Sequence, residues 1–587
     1  KIKVADYIME FLQNKGVEYA FQVPGGGAMF LNDAVTKSKI KPIFCHHEQA
    51  CAMAAVGYSK INNVPSLVIP TSGCGSTNTL TGVLDAWQDS IPMIIISGQA
   101  NKKDTSYLSK VKLRKLGVQE LNIVEVVKSI TKASTMIEEA KDVPQVLEKF
   151  YEIATTGRPG PVWIDVPLDI QSTSFDFVSF QENKTSDKVL KGSVEFEDLL
   201  KNSSRPVVIA GNGVFLSNAQ SKFREFVEKY NLPCTFTFLA TDLLPDDHPL
   251  YVGRLGIKGT RPGNFAVANS DLVISIGSSL SIPVVGFKYD LFAREAKKVV
   301  IDVDKTEHLK DTIEVDKIIE SDAKQFLESN LEINYKTPDD WVNKCFSWKS
   351  KWKVFDREDI DELNMYSFSK SFSEICKKSN VAAVTDAGSA YYVLAQSVSN
   401  CKLIIPGAQG EMGFALPASV GVSLADKNLN VFSITGDGSF QFNLQELQTI
   451  KENNLPIKII ILNNGGYLCI RNTQIKYFEK RFSGVDSNSG ISFPECSKIA
   501  DAYGFKFFKI SEFSELESTL DEVASLQEPC ICEIICPESE KIYPTAASKQ
   551  MPSGKLVSQP LENMFPFLTE KEFKKEMIIS ICEEENE

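Results

Sequence analysis

The feature that most constrains the fold of this chain is an ordered run of patterns between Gly436 and Tyr467. An apolar run ends in the turn Gly436-Asp437-Gly438-Ser439, an amphipathic helix pattern follows, and a second apolar strand pattern spans Pro456 to Leu462. A strand, a helix and another strand in this order are typical of a parallel pair joined by a helical crossover. We therefore expect an α/β protein in which this turn lies at the carboxyl edge of a parallel sheet.

The two strands of this run are followed by side chains suited to a cation. The second strand leads into Asn463-Asn464-Gly465-Gly466-Tyr467. The Asp437 carboxylate and the Asn464 side-chain oxygen are hard ligands of the kind that Mg²⁺ and Ca²⁺ prefer. The glycines allow backbone N–H groups to approach phosphate oxygens, and the start of the following helix adds partial positive charge. The run predicts a shared site for a divalent cation and a diphosphate.

Composition indicates a globular protein and excludes several classes of partner. The chain has 587 residues, 43% hydrophobic and 24% charged, with a net charge of -13 and a pI of about 5.2. This acidity argues against a nucleic-acid or anionic-membrane partner, because both require a basic face. No apolar run reaches the ~18 residues that span a bilayer, and the thirteen cysteines include no Cys-x-x-Cys pair. We expect reduced thiols, a cytoplasmic location, no membrane and no nucleic acid.

The same unit of strand, glycine turn and helix recurs along the chain and predicts three doubly wound parallel-sheet domains. We place a linker at residues 171–189, which are rich in Ser, Thr, Asn and Asp and lack helical periodicity. A second linker is placed at 334–359, whose tryptophans we expect to pack. The predicted parts are a first domain at 1–175, a middle domain at 190–335, a last domain at 360–545 and a C-terminal tail at 546–587. We expect the run from Leu561 to Pro566 in this tail to dock on the body of the protein. The middle domain also has glycine turns, at 211–213 and 277–279, which we interpret as ordinary turns rather than dinucleotide fingerprints.

Several strings resemble, over nearly the whole length, thiamine-diphosphate (ThDP) enzymes of the acetolactate synthase and pyruvate decarboxylase superfamily. In order they lie at residues 24–29, 47–50, 157–167, 413–418 and 436–467. Within that group the chain most resembles acetolactate-synthase-like proteins of sugar and polysaccharide gene clusters. The resemblance implies a pyrimidine-binding, a middle and a diphosphate-binding domain. It also implies a homo-oligomer, dimer or tetramer, whose active sites lie between the first domain of one subunit and the last domain of another.

Glu48 matches the catalytic glutamate of that family, within His47-Glu48-Gln49-Ala50. Beside the aminopyrimidine of ThDP, a partly buried carboxylate would strengthen the hydrogen bond that lets this ring act as a base. The alternative is a solvated charge at a helix N-terminus, where glutamate is ordinarily favourable. For His46 and His47 we favour structural roles at the entry to the helix.

The resemblance also assigns residues that hold the cofactor and its cation. Mg²⁺ would be held by Asp437, Asn464 and the Gly466 carbonyl. The ThDP-binding residues would be Pro24, Gly25, Glu48, Gly388, Ser389, Gly410, Met412, Gly436, Asp437, Gly438, Ser439, Asn464, Gly466 and Tyr467. Met412 resembles the apolar residue that wedges beneath the bent cofactor, the alternative being an ordinary core methionine. Acetolactate synthases carry Gln and His where this chain has Ser389 and Ala390.

Two further residues are assigned to catalysis through the resemblance. Gly26 would lie in a loop over the reacting carbon, where a side chain would obstruct; a plain turn is the alternative. Gln119 matches a glutamine that lies near the substrate in acetolactate synthases. Its neighbours depart from that family, with Val118 in place of Phe and Asn122 in place of Pro. These departures leave the choice of substrate open.

The resemblance predicts that FAD is absent. Acetolactate synthases that bind FAD carry an Arg-Phe-Asp-Asp-Arg type string after a strand of the middle domain. Here that place reads Gly277-Ser278-Ser279-Leu280-Ser281-Ile282-Pro283, without the arginine and the acidic pair. The nearby Gly256-Ile257-Lys258-Gly259 nevertheless resembles the Gly-Met-His-Gly of the flavin-containing family.

The predicted activity is decarboxylation of a 2-oxo acid, with pyruvate expected, and transfer of the remaining acyl unit to a carbonyl acceptor. Pyruvate as acceptor would give acetolactate, and a keto-sugar nucleotide would give a branched-chain sugar. One alternative is a simple decarboxylase or carbon–carbon lyase that releases an aldehyde. Another, of a different class, is a non-catalytic binding subunit that has kept the fold.

Overall fold

A computed structural model describes residues 1–176, 194–551, 554 and 556–582. These residues form two compact units. The first unit comprises residues 1–176, 379–391 and 404–538, and the second comprises the described parts of 194–378, 392–403 and 539–582.

The first unit begins with a six-stranded sheet. Its region contains strands β1 Ile2–Lys3, β2 Tyr19–Gln22, β3 Lys41–Phe44, β4 Ser66–Ile69, β5 Met93–Gln99, β6 Ala133–Met136, β7 Pro161–Pro167 and β8 Ser174–Phe175. The helices are α1 Val4–Asn14, α2 Met29–Lys37, α3 Glu48–Asn62, α4 Cys74–Asn78, α5 Leu80–Gln88, α6 Ile123–Val127, α7 Val143–Thr155 and α8 Leu168–Ser172. The sheet is parallel, in the order β3-β2-β4-β5-β7-β6. Its order reverses between β2 and β4, so the loops after these two strands flank a crevice.

The predicted linker at 171–189 is wrong in its first part. Residues 168–172 form α8, and β8 pairs antiparallel with β1, with Ile2 opposite Phe175. Phe175 packs edge-on against the buried Tyr7 ring, which explains why a polar-looking segment is ordered. The rest of the predicted linker, residues 177–189, lies outside the described residues.

The second unit holds the middle sheet. Its strands are β9 Pro206–Ala210, β10 Cys234–Phe236, β11 Tyr251–Arg254, β12 Leu272–Ile276, β13 Lys297–Asp302 and β14 Lys317–Glu320. The helices of this stretch are α9 Val194–Lys201, α10 Gly213–Leu216, α11 Gln220–Tyr230, α12 Arg261–Ala268, α13 Ile282–Val285, α14 Ala323–Ser329, α15 Asp339–Lys351 and α16 Met365–Lys378. The sheet is parallel in the order β11-β10-β9-β12-β13-β14 and reverses between β9 and β12.

The predicted linker at 334–359 contains α15 at its centre. The Trp341 and Trp348 rings are buried and meet edge-to-face at 5.8 Å. The expectation that the tryptophans of this segment pack is confirmed for these two. Their burial stabilises a helix whose polar composition alone gave little signal.

The last sheet belongs to the first unit. Its strands are β15 Val381–Thr385, β16 Lys402–Ile404, β17 Asn430–Gly436, β18 Lys458–Asn463, β19 Lys506–Ile510 and β20 Cys530–Ile535. The helices are α17 Ser389–Ser397, α18 Ala415–Ala425, α19 Glu446–Glu452, α20 Leu468–Tyr477, α21 Cys496–Tyr503 and α22 Leu516–Ser525. The strand order is β16-β15-β17-β18-β20-β19, with parallel pairing from β15 to β19 and a reversal between β15 and β17. The prediction of an α/β fold with three parallel sheets is confirmed.

Helices α3 and α18 bring the first and last sheets into one core. The two helices approach so closely that a Cβ on Gly421 would lie 1.8 Å from the Ala54 carbonyl oxygen, and one on Gly57 would lie 2.2 Å from that of Ala418. Close backbone contact of this kind requires glycine at both positions. Apolar residues from both sheets continue into one buried cluster around these helices.

The segment after the last sheet packs within the second unit. It contains β21 Ser548–Gln550, β22 Leu556–Ser558 and α23 Glu570–Glu576. Arg261 donates hydrogen bonds to the carbonyls of Met564 and Pro566, and Asn264 donates to that of Leu561. The expected docking of the run from Leu561 to Pro566 is therefore seen, and its place is α12.

Within the described residues, no helix is both long enough and apolar enough to cross a membrane. None of the thirteen cysteines, all of which lie within the described residues, forms a disulfide; ten are buried, and Cys74 alone is exposed.

Candidate active site

Two loops meet at the reversal point of the last sheet. The loop after β15 carries Gly388 and Ser389, and the loop after β17 carries Gly436, Asp437 and Gly438. Both loops leave the carboxyl ends of neighbouring strands, which is where open α/β sheets bind ligands. A Cβ on Gly436 would meet no atom within 4 Å, so the space beside this turn is open.

The Asp437 carboxylate is fixed by backbone N–H groups. One oxygen accepts a hydrogen bond from the Gly438 N–H at 2.9 Å, and the other accepts from the Gly466 N–H at 2.8 Å. The side chain is buried, and this burial raises the pKa of Asp437 to about 6 although the backbone bonds act in the opposite direction. This one carboxylate thus links the loop after β17 to the loop after β18, which are the two parts of the predicted cation site.

Asn464 is the second side chain of this site, and it is 3% exposed. Its Oδ1 atom is buried and has no hydrogen-bond partner within the described part of the chain. The loop around it is held by Arg471, which donates to the carbonyls of Asn464 at 3.2 Å and Gly465 at 2.9 Å. A buried acceptor without a partner is costly, so its retention on a rigid loop indicates that it serves a bound group.

Tyr467 covers the glycine turn. A Cβ on Gly438 would lie 2.2 Å from the Tyr467 ring, which in turn packs edge-on against Phe493 with ring centroids 5.8 Å apart. Gly466 has φ of +143°, and a Cβ there would lie 1.9 Å from the Val485 carbonyl oxygen. Both glycines are therefore required by close contacts within the loop itself.

The amphipathic helix predicted after the glycine turn is found as α19, but a short stretch that is not α-helical separates it from the turn. Residues Ser439–Phe442 form one short 3₁₀ turn, and α19 begins only at Glu446. Asn443 interrupts the helix, because its side chain donates a 2.7 Å hydrogen bond to the Gly413 carbonyl and its backbone is not helical. A single 3₁₀ turn contributes little dipole, so the N–H groups of the turn are the main donors available here.

Asp386 is a residue of this site that the sequence interpretation missed. It follows β15 and is 1% exposed, and burial raises its pKa to about 7. Its carboxyl accepts from the Thr435 hydroxyl at 2.9 Å, and hydrogen bonds from Ser439 and from the backbone of Gly413 also oppose the rise. It thereby ties three loops of the site together. An acidic residue placed directly after an apolar strand was the available signal.

The loop before α18 carries Gly410 and Met412. Gly410 has φ of +61°, and its N–H donates to the Pro406 carbonyl at 2.7 Å. A Cβ on Gly410 would meet no atom within 4 Å. Met412 is half-buried and lies outside the helix that follows. Its predicted role as a wedge stays a prediction.

Thr71 organises the corresponding reversal point of the first sheet. It lies in the loop after β4, and its hydroxyl accepts from the Gly27 N–H at 3.1 Å. A Cβ on Gly25 would lie 2.5 Å from the Thr71 side chain, whereas one on Gly26 would meet nothing within 4 Å. Gly25 is therefore needed for packing, and exposed Pro24 and Gly26 face open space. The sequence interpretation did not single out Thr71.

Glu48 is the first residue of α3 and is half-buried. One of its carboxylate oxygens accepts a 2.9 Å hydrogen bond from the Asn78 side chain, a partner that the sequence did not reveal. A Cβ on Gly75 would lie 3.1 Å from the other oxygen. His47 caps the helix by accepting from the Gln49 N–H at 3.1 Å, so it has the structural role that we favoured.

Gln119 lies next to the same loop. It is exposed and has φ of +55°, and its side chain reaches the Cys74 sulfur at 3.8 Å. A Cβ on Gly73 would lie 2.4 Å from the Gln119 carbonyl oxygen. The structure thus brings Gln119, the loop after β4 and Glu48 to the edge of the first sheet where β2 ends.

The predicted residues therefore fall into two groups within the first unit. One group surrounds Thr71 and contains Pro24, Gly25, Gly26, Glu48 and Gln119. The other surrounds Asp437 and contains Gly388, Ser389, Gly410, Met412, Gly436, Gly438, Ser439, Asn464, Gly466 and Tyr467.

Sequence comparisons match these sheets to known families. Three family profiles fit: the thiamine pyrophosphate enzyme N-terminal TPP binding domain at residues 2–126, the central domain at 195–329 and the C-terminal TPP binding domain at 386–534. The chain belongs to the thiamine pyrophosphate enzymes. The prediction of the family and of three such domains is confirmed, and the exact domain limits stay predictions.

The relatives of this ThDP enzyme include acetolactate synthase subunits from distant organisms. It is 31% identical to a probable acetolactate synthase large subunit of Methanocaldococcus jannaschii, over 98% of this chain and 97% of the relative. It is 30% identical to the isozyme 2 large subunit of Escherichia coli, over 95% and 99%, and 32% identical to the Lactococcus lactis large subunit, over 92% and 93%. The predicted class, an acetolactate-synthase-like ThDP enzyme of decarboxylation with carboligation, is confirmed.

The residues present fit the cofactor of this family. The open space beside Gly436 and the N–H groups of the glycine turn suit a diphosphate. Asp437 and the unpaired Asn464 oxygen suit a hard cation that would bridge it. The part that each residue plays in binding stays a prediction, and so does the metal.

Proposed function

We propose that this ThDP enzyme requires Mg²⁺, decarboxylates pyruvate and joins the remaining two-carbon unit to a carbonyl acceptor. The observation that carries the proposal is the unpaired, buried Asn464 oxygen on the loop tied to the Asp437 carboxylate. Two hard oxygen donors on linked loops, beside a glycine turn at a sheet reversal point, are suited to hold a cation and a diphosphate. The likeness to acetolactate synthases supports the choice of pyruvate.

The chain's own residues have distinct parts in this proposal. Asp437, Asn464 and the Gly466 carbonyl hold Mg²⁺, and the N–H groups of the Gly436 to Ser439 turn hold the diphosphate. Bound ThDP supplies the electron sink for loss of CO₂. Gly410 and Met412 set the position of the pyrimidine end. These assignments come from the family resemblance, and the loop geometry and donor chemistry support those of Asp437, Asn464 and the glycine turn.

Glu48 is proposed to hold a proton at the pyrimidine ring nitrogen. Asn78 fixes one carboxylate oxygen at 2.9 Å, which leaves the other free to face the ring. The absence of a side chain on Gly75 keeps space beside that second oxygen, because a Cβ would lie 3.1 Å away. A carboxylate aimed in this way contributes typically 10²–10⁴-fold to rate in proton transfer.

Gly26 and Gln119 are proposed to border the substrate. The open space beside Gly26 leaves room for the reacting carbon, whereas Gly25 and Gly27 are occupied by contacts with the loop after β4. Gln119 offers an amide to a carboxylate or carbonyl of the substrate. Closing these groups over the reacting atoms would exclude water from them.

We further propose that the active site is shared between two copies of the chain, in a dimer or tetramer. The Glu48 group of one subunit would face the Asp437 group of another. The test is to mix two inactive variants, Glu48→Gln and Asp437→Asn, after dissociation and reassembly. Random pairing should restore about a quarter of the wild-type activity if each site draws on both subunits. No recovery from a mixture shown to contain hybrids would contradict the shared site.

A second candidate concerns the acceptor. Val118, Asn122 and Ser389 depart from the acetolactate synthase pattern near the predicted substrate and diphosphate positions. The replacement of Phe by Val at 118 favours an acceptor larger than pyruvate, of which a keto-sugar nucleotide is the example we propose. The outcome would then be a branched-chain sugar rather than acetolactate.

The experiment is mass-spectrometric product analysis after incubation with ThDP, Mg²⁺ and labelled pyruvate, with and without a panel of aldehydes and keto-sugar nucleotides. Labelled acetolactate from pyruvate alone would support the first candidate. Label found only in adducts of an added acceptor would support the second. Free labelled acetaldehyde as the sole product would replace both with a simple decarboxylase, and no CO₂ release would remove pyruvate as donor.

The Glu48→Gln variant provides the control for this experiment. It should still bind ThDP but lose activity by about 10²–10⁴-fold. Unchanged biological activity in this variant would favour a non-catalytic subunit. The absence of FAD stays a prediction, and the visible absorption spectrum of the purified protein tests it.

A further inference from the structure

A buried ion pair lies behind the loop that carries Gly410 and Met412. Lys60 on α3 and Asp89, the residue after α5, meet with Nζ and Oδ2 2.7 Å apart. Their side chains are only 6% and 1% exposed. Burial acts against charge on Lys60, but the carboxyls of Asp85 and Asp89 outweigh it and raise its pKa.

Both members of the pair also hydrogen-bond to the backbone of that loop. Lys60 Nζ donates to the Ile405 carbonyl at 2.5 Å, and Asp89 Oδ1 accepts from the Ala408 N–H at 3.2 Å. A Cβ on Gly407 would lie 2.0 Å from Asp89 Oδ1, so the carboxylate is pressed against the chain at this point. The pair thus holds residues 405–408 through hydrogen bonds and close contact with their backbone.

A second contact holds the next residue of the loop. The Gln409 side chain donates to the Thr81 carbonyl on α5 at 3.2 Å. Together the contacts fix the five residues that precede Gly410, whose own N–H turns back to the Pro406 carbonyl at 2.7 Å. Gly410, one of the two residues proposed to position the pyrimidine end of ThDP, is therefore the first residue of the loop beyond these contacts.

The surroundings of the Lys60–Asp89 ion pair are unusually acidic. Asp85, on α5, is fully buried, and neither of its carboxyl oxygens has a hydrogen-bond partner within the described residues. Glu411, in the loop itself, also interacts with Lys60. A single lysine therefore faces three carboxyls, those of Asp85, Asp89 and Glu411. An ion pair that only stabilised the packing of α3 on α5 would have no need of a loop backbone or of further carboxyls.

We propose that Lys60 and Asp89 are positioning residues for ThDP: by gripping residues 405–408 they set the place of Gly410 and Met412 beneath the cofactor's pyrimidine end. The inference rests on the proposed function of those two residues. Misplacement of a binding group by about 1 Å can cost about 10²-fold, so a loop fixed at its root by buried hydrogen bonds is valuable here. The contacts of Lys60 and Asp89 with the cofactor are indirect.

The experiment measures the ThDP dissociation constant of the full chain at saturating Mg²⁺ by calorimetry, together with the melting temperature without ThDP. The variants are Lys60→Met, Asp89→Asn and the conservative Lys60→Arg. Lys60→Met and Asp89→Asn should weaken ThDP binding by about 10- to 100-fold, and Lys60→Arg should retain most of the affinity. KM for ThDP should rise more than kcat falls.

Arg294→Met and Glu562→Gln provide the matched control. These residues form a buried ion pair in the second unit, with side chains 14% and 3% exposed. Breaking either buried pair leaves an unpaired buried charge and is expected to lower the melting temperature. Only the Lys60 and Asp89 variants should also lower ThDP affinity.

Equal ThDP affinity in wild type, Lys60→Met and Asp89→Asn, with a loss of melting temperature like that of the control, would overturn the positioning role. If Lys60→Met does not fold, Gly407→Ala replaces it, because it keeps both charges and displaces Asp89 by steric contact alone; undiminished affinity there has the same meaning. A wild-type protein that binds no ThDP would instead contradict the proposed function.

Discussion

The reversal points of the middle and last sheets are built alike, each from two loops with glycine turns. They differ in whether space is left beside those turns. In the middle sheet the turns after β9 and β12 contact each other: the Gly213 N–H donates to the Gly277 carbonyl at 2.9 Å. A Cβ on Gly277, whose φ is +60°, would lie 2.6 Å from the Gly213 Cα. In the last sheet the space beside Gly436 is open, and Asp437 is poised at its edge.

The difference shows that glycines at a sheet edge serve two purposes that look alike in a sequence. At Gly277 and Gly213 they let two backbones pack together, and the crevice is filled by the protein itself. At Gly436 they leave room beside Asp437 and Asn464, the proposed ligands of the cation. Function therefore resides in the end loops rather than in the fold, and the unpaired oxygen of Asn464 is the physical mark that separates the two cases.

The largest expected effect comes from removing the carboxylate on the open side. Asp437→Asn should weaken ThDP binding by about 100-fold or more, because losing a cation ligand costs more than losing its hydrogen-bonded support, which costs 10–100-fold. Calorimetric titration with ThDP at fixed Mg²⁺ measures it.

The matched control is Asp242→Asn, a carboxyl of the second unit whose pKa burial likewise raises to about 6. It should leave ThDP affinity within about twofold of wild type, as expected for a site that does not touch the ligand. Equal losses in both variants would mean that ThDP affinity follows overall stability rather than the loop at β17.

Alanine substitutions at one glycine of each crevice should separate the two purposes. Gly438→Ala should displace the Tyr467 ring and lower ThDP affinity by roughly 10- to 100-fold, because it disturbs a loop that holds the ligand. Gly277→Ala should lower the free energy of unfolding by about 1–3 kcal/mol, through strain at positive φ and contact with Gly213, and leave ThDP affinity intact. Denaturant unfolding and ThDP titration of both variants test this prediction. A loss of ThDP affinity in Gly277→Ala, with a loss of stability alone in Gly438→Ala, would contradict our interpretation of the two crevices.

A smaller effect, on the free energy of unfolding, is expected from Glu411 in the loop before α18 when the pH is varied. Burial raises the pKa of Glu411 from its ordinary 4.5 to about 7. Between those values the folded protein binds more protons than the unfolded chain, so stability falls as pH rises through this window. Glu411→Gln removes the loss and should raise the free energy of unfolding by about 1–3 kcal/mol at pH 8, with almost no change near pH 4.5.

Chemical unfolding of wild type and Glu411→Gln across this pH range gives the difference. Lys305→Gln, at the exposed Lys305–Glu320 ion pair of the second unit, is the control and should show no comparable change in slope over the same window. A Glu411→Gln curve parallel to that of wild type would show that the carboxyl is ionised in the folded protein.

The smallest expected effect concerns the unpaired oxygen. Asn464→Leu should raise the melting temperature of the ThDP-free protein slightly, because an unsatisfied buried acceptor costs about 1–3 kcal/mol and leucine removes it. ThDP and Mg²⁺ should stabilise the Asn464→Leu variant less than they stabilise wild type. Asn443→Leu is the control: it loses a bond to the Gly413 carbonyl and should only destabilise. A stabilising ligand effect that survives Asn464→Leu would show that Asn464 is not a ligand of the cation.

The strands of the three sheets could be predicted from the sequence because apolar runs at their centres are unambiguous. The second strand of the opening run, predicted from Pro456 to Leu462, is found at Lys458–Asn463. The site residues near glycine turns could be named because the resemblance fixed their positions. Even so, the sequence did not reveal the break between Ser439 and α19, where the Asn443 side chain bonds to the Gly413 carbonyl.

Other misses have the same origin in contacts between distant segments. Asn78 pairs with Glu48 across 30 residues, and Asp386 reaches loops that lie 27 or more positions away. Helix α15 was missed because its stability comes from the burial of Trp341 and Trp348 rather than from local propensity. Local patterns carry no information on such partners, and only the folded chain reveals them.

The docking of residues 561–566 on α12 has a consequence for the order in which the protein matures. Asn264 and Leu561 are separated by 297 positions, and the whole last sheet lies between them in the chain. During synthesis, at roughly 5–20 residues per second, the middle sheet would wait tens of seconds for the segment that completes its surface. Until then the apolar surface around Phe265, a neighbour of Phe573, stays uncovered on one side, which makes the nascent chain a natural client for chaperones.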